Sequence, residues 1–153
     1  MKMSVELLKQ ISLFSIIIGL GVGLISHIPF IGSLVFVMYF LLIAGGLIIY
    51  FKRKNIIGAI TVKEGGVLGA VIGMASMLGV YVSYTPILLI IALINPNYNP
   101  LVANLILYGF MSPLNFFALI FLLFLGCLLC GLMNCFGGGA IAYVYEFLAN
   151  LDQ

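Results

Sequence analysis

Three closely spaced thiols, Cys127, Cys130 and Cys135, come nearest in this chain to a chemical site. Thiolates bind zinc or iron–sulfur clusters, but such sites ordinarily take four ligands. The single histidine, His27, is remote in sequence. On a helix, Cys127, Gly131, Cys135 and Gly139 share one face, and Gly126, Cys130, Asn134 and Gly138 share the adjacent one. Packing is therefore the expected role, ahead of reversible acylation of Cys135 near an interface or of metal binding. No metal and no cofactor is expected.

The remaining polar residues are few. Glu64 and Glu146 are the carboxylates nearest to membrane depth. Transporters hold ionisable groups inside the bundle, where they are costly, yet no Asp, Glu, Lys or Arg falls inside any apolar run drawn below. Glu64 is expected to pair with Lys63 or Arg53, Glu146 to lie on the polar side of a terminal helix, and His27 to be a turn residue. Ser83, Tyr84 and Thr85 precede Pro86, and their side chains could satisfy carbonyls that the proline frees. Together with Asn115 and Asn134 they could instead line a weakly polar path. No nucleophile sits beside a base and no phosphate-cradling loop occurs, so no catalytic residue and no enzyme is expected.

Composition explains the scarcity. The chain is 65% hydrophobic and 7% charged, with a net charge of +2 and a mean hydropathy of +1.35. A soluble domain is roughly 25% charged, so a water-soluble fold is not expected, and so small a net charge argues against nucleic acid. About 20 apolar helical residues cross a bilayer. Four runs qualify, at residues 11–28, 34–51, 66–94 with a bend at Pro86, and 114–134. A basic start followed by an apolar run imitates a signal peptide, but no small-x-small cleavage site follows, and a retained span is expected. The stretch Asn95-Pro96-Asn97-Tyr98-Asn99-Pro100 breaks the chain. Residues 101–111 and 140–149 read as short interfacial segments, the latter set off by Gly137-Gly138-Gly139.

All six Lys and Arg residues (Lys2, Lys9, Lys52, Arg53, Lys54 and Lys63) fall in the N-terminal tail or the second connection. Four spans place both segments on one side, and positive charge marks the cytoplasm. Both termini are then cytoplasmic, in the cell membrane.

Residues 65–79, GGVLGAVIGMASMLG, organise the rest. Gly65, Gly69 and Gly73 recur every four residues, with Gly66 and Ser76 beside them. In lipid, such a strip lets two helix backbones approach closely. The expected partners are Gly126, Cys130 and Gly131 of the fourth span, or the same strip on a second copy. The run Gly58-Ala-Ile-Thr-Val-Lys-Glu-Gly-Gly, entering this span and leaving through Asn-Pro-Asn-Tyr, resembles small four-span bacterial membrane proteins of unassigned function. The resemblance implies the four-span layout and no activity or site residue.

The sequence thus predicts an all-α integral membrane protein of four transmembrane helices, antiparallel hairpins packed through Gly, Ala, Ser and Cys faces in one membrane domain. The expected function is that of a non-enzymatic packing or assembly subunit, or a homo-oligomer. Its partners would be the lipid bilayer and itself or another membrane protein. A small transporter or channel, with its path between spans 3 and 4, is the alternative.

Overall fold

A computed structural model of the chain describes residues 5–95 and 112–151. Among these residues the fold is four helices and no strand: α1 (Val5–Ile25), α2 (Ile31–Arg53), α3 (Val62–Ile94) and α4 (Pro113–Leu151). Each is long and apolar enough to cross a membrane. The expected interfacial segment at residues 101–111 lies outside the described residues.

Every boundary has a local cause. The α1–α2 turn closes over Ile28 and Pro29, and Gly32 sits directly against the Ser26 carbonyl, so a side chain there would open the turn. At the end of α2, Asn55 adopts the left-handed conformation with φ 55°. The Ile56 amide donates to the Phe51 carbonyl (2.9 Å) and the Asn55 amide to that of Lys52 (3.1 Å), which satisfies the last carbonyls of the helix. The third helix starts at Val62 rather than near residue 66 because Thr61 and Glu64 form a capping box. The Glu64 amide donates to Thr61 Oγ1 (3.3 Å), and the Thr61 amide donates to Glu64 Oε2 (3.0 Å). Glu64 is thus turned onto Thr61, not onto Lys63 or Arg53 as expected.

The fourth helix differs most from expectation. It runs unbroken through Gly137, Gly138 and Gly139, so residues 140–149 are its last turns and not a separate helix. A break is expected there because an unbroken helix to residue 150 exceeds about 50 Å, more than a bilayer needs. In a bilayer a broken helix leaves backbone groups without partners, and each costs several kcal/mol. Continuity wins there.

α3 is the central element. It packs along one side against α4 and along another against α1, while α2 lies against α4, α3 and α1. Toward the basic end, Ile11, Ala44, Leu47, Ile48, Phe51, Ile57, Leu68 and Ile72 form one buried cluster. Farther along, Tyr39, Met77, Val80, Cys127 and Cys130 form a second. The α1–α2 turn reaches the level of Tyr84, whose ring stacks on His27 at 4.4 Å. Beyond it, α3 and α4 continue together and expose Ile90, Ile94, Leu114, Phe117 and Phe121.

Candidate functional site

The strip on α3 meets α4 along the Cys130–Asn134–Gly138 face. A Cβ on Gly65 would collide with Ala142 and lie 2.7 Å from the Gly138 carbonyl oxygen. One on Gly69 would collide with the Asn134 carbonyl, and one on Gly73 would lie 2.6 Å from the Cys130 carbonyl oxygen. Backbone touches backbone along three turns. Two of the expected partners are placed otherwise. Gly126 accommodates the Tyr81 hydroxyl, and Gly131 faces Met74. Gly66 is looser, with Cys135 Sγ at ordinary contact distance (3.4 Å). Asn134 and Gly138 fill the places where Gly126 and Gly131 were expected, seven to eight residues or about two turns farther along α4, while Cys130 meets Gly73 as expected.

Ser76 belongs to a second seam that the sequence reading passed over. The buried residues of α1 are Ile11, Ser15, Gly19 and Gly23, one per turn. A Cβ on Gly19 would collide with the Ser76 carbonyl, one on Gly23 with Ser83 Oγ, and one on Gly79 with the Ile16 carbonyl. Ser15 and Ser76 are fully buried and return their hydroxyl protons to their own helices, at Ile11 O (2.7 Å) and Gly73 O (3.0 Å). The four-residue spacing of Ser15, Gly19 and Gly23 was the signal. α3 is therefore clamped on two sides through residues without side-chain bulk.

The polar residues expected to line a path are dispersed. Asn134, fully buried, reaches α2. Its Oδ1 accepts from the Ala44 amide (3.0 Å), and its Nδ2 donates to the Phe40 carbonyl (2.9 Å) and to the Cys130 carbonyl (2.9 Å). Phe40 O and Ala44 N bound one turn of α2, so the carboxamide bridges that turn and every strong donor and acceptor on it is used. Ser83 Oγ bonds its own helix at Gly79 O and Val80 O (both 3.2 Å). Asn115 is exposed near the start of α4, and Thr85 is half-buried. A cavity of about 350 Å³ between the α1–α2 turn and α3 includes Tyr84 of this set, beside Ser26, Ser33, Phe36, Met77 and Tyr81.

The cysteines are free thiols. Cys127 and Cys130 are buried in the second cluster, and Cys135 is half-buried toward Gly66. No group of three or more His, Cys, Asp or Glu side chains suited to a metal occurs among the described residues. The Tyr39 hydroxyl is buried beside Ser76 without a hydrogen bond of good geometry.

His27 is more than a turn residue. Its Nε2 is buried and has no hydrogen-bond partner among the described residues. Burial holds its pKa below the ordinary 6.5, opposed by a hydrogen bond with the Tyr84 backbone. The folded state therefore resists a proton that the unfolded chain accepts. Its contribution should be intact above pH 6.5 and decline as the pH falls from there toward the lowered folded value. Thermal unfolding in detergent should show this decline, and His27→Phe, which keeps the ring stack, should flatten it. An unchanged slope in the variant would assign the decline to other groups.

These helices and seams define a multi-pass membrane protein built as a four-helix bundle. No protein-family model, curated protein or solved structure matches the chain.

Proposed function

We propose that the chain is a non-enzymatic packing module of the cell membrane, with both termini cytoplasmic, that associates with a second copy or with another membrane protein. The observation that carries this reading is the use of its small residues. The strip on α3 is occupied within the chain, whereas Gly46 on α2 meets no atom within 4 Å of where a Cβ would stand. Gly46 lies in a depression of about 400 Å³ on the outer face of α2, beside Met38, Leu42 and Leu47. A helix of a partner could approach there without displacing any side chain.

Fluorescence transfer between labelled copies in dilute liposomes tests this. Association should be seen for the native chain and fall at least tenfold for Gly46→Leu. A monomer at every protein-to-lipid ratio, with no co-purifying membrane partner, would refute the reading. For orientation, in a cysteine-free background, Asn55→Cys should label only from the cytoplasmic side and Phe30→Cys only from outside. The reverse pattern would invert the topology.

A further inference from the structure

The open face between α3 and α4 carries a groove of about 910 Å³ whose lining is almost wholly apolar. Its floor is made by small residues, Gly66, Ala70 and Gly139, with Val67 and Phe136 on its flanks. Along α3 it extends from Lys63 to Met74, about 16 Å at 1.5 Å per residue. That is close to the depth of one leaflet, about 15 Å of a 30 Å hydrocarbon core. Lys63 stands at one end, and among the described residues no acidic side chain lines the groove. The nearest carboxylate in sequence, Glu64, is drawn onto Thr61 by the capping box. Lys52, at the same basic end, donates to the Gly58 carbonyl and lies over the Tyr145 ring, 5.7 Å from its centroid.

We infer that this groove holds one anionic phospholipid of the leaflet on the basic side, its phosphate at Lys63 and an acyl chain along the glycine floor. Length and charge select this occupant together. A chain entering from the interface finds an apolar trough of its own depth, and Lys63, the one cation lining the mouth among the described residues, favours a net negative headgroup over a zwitterionic one. The Tyr143 ring stands at the same end of the lining.

Native mass spectrometry of the intact protein, released from detergent with phosphatidylglycerol or phosphatidylcholine added, tests the assignment. The native chain should retain one phosphatidylglycerol about fivefold better than phosphatidylcholine, the weight of one lysine near an anionic surface. Lys63→Gln should remove that preference, whereas Lys54→Gln, outside the groove, should leave it. Gly139→Leu should abolish retention of both lipids. A Cβ at Gly139 makes only ordinary contacts, 3.8 Å to Val62 O and 3.9 Å to Val62 Cγ1, so this variant fills the groove without parting the helices. Equal retention of the two lipids by the native chain, or a preference that survives Lys63→Gln, would overturn the inference. So would a native chain released as a dimer without lipid and made monomeric by Gly139→Leu, since the occupant would then be protein.

Discussion

Gly69→Ala should cost the folded protein about 3 kcal/mol, while Gly21→Ala should leave it unchanged or up to about 1 kcal/mol more stable. Both changes add a single methyl group to a helical glycine. At Gly69 that carbon would fall on the Asn134 carbonyl, a backbone atom that cannot rotate away, so α3 and α4 must separate. Overpacking of this kind costs about 1–3 kcal/mol, and the rigid backbone puts this site at the upper end. At Gly21 nothing lies within 4 Å, and only the helix preference of alanine over glycine remains. Gly69→Leu should leave little folded protein, and Gly19→Ala should resemble Gly69→Ala because it meets the Ser76 carbonyl. Leu78→Ile, at a half-exposed position, is the volume-conserving control. Thermal unfolding in detergent ranks the set. Equal, small losses at Gly69 and Gly21 would show that the α3–α4 seam does not hold the bundle together.

Substitution of Asn134 should give the second largest effect, and its ordering is specific. Asn134→Leu removes three hydrogen bonds, two of them to α2 and one within α4. Polar contacts between helices in a bilayer average about 0.6 kcal/mol, so the loss should be about 1 kcal/mol. Phe40 and Ala44 limit it, because their backbone groups can turn to each other. Asn134→Asp keeps the shape but should cost more. Its ionised oxygens would face the Phe40 and Cys130 carbonyls with no proton to donate, and the charge would be buried without a partner. Acidification supplies that proton and should restore part of the aspartate variant's stability, with no such recovery for leucine. An aspartate variant as stable as the leucine variant at neutral pH would mean that the Asn134 site is hydrated.

The span layout was legible because bilayer insertion is governed by composition, which the sequence displays directly. Residues 65–79 were legible as a close-contact strip for the same reason: four-residue glycine spacing has few other uses in lipid. Register was not. Whether Gly69 meets Gly126 or Asn134 depends on where Tyr81 and Met74 can be housed, and those are pairwise facts. Asn134 read as one polar residue among five. Its role came from the depth at which α4 meets α2, which no local pattern encodes. The Thr61-x-x-Glu64 capping box and the Ser15, Gly19, Gly23 stripe are present in the sequence as patterns, but neither says which helix face or end it serves without its neighbours.

The unequal helices bear on where the molecule can live. α1 and α2, of 21 and 23 residues, measure about 32 and 35 Å, whereas α3 and α4, of 33 and 39 residues, measure about 50 and 58 Å. One side of the bundle thus matches an ordinary bilayer and the other overshoots it. Hydrophobic mismatch costs a fraction of a kcal/mol per Å and is relieved by tilt or by locally stretched lipid. Here the deformation is confined to one flank, so the surrounding lipid is stretched on that flank and relaxed on the opposite one. Copies that pair through the outer face of α2 would keep their tall flanks apart, so each retains its own deformed patch and the mismatch is not relieved by that contact. The same asymmetry should draw the protein toward membranes of longer acyl chains.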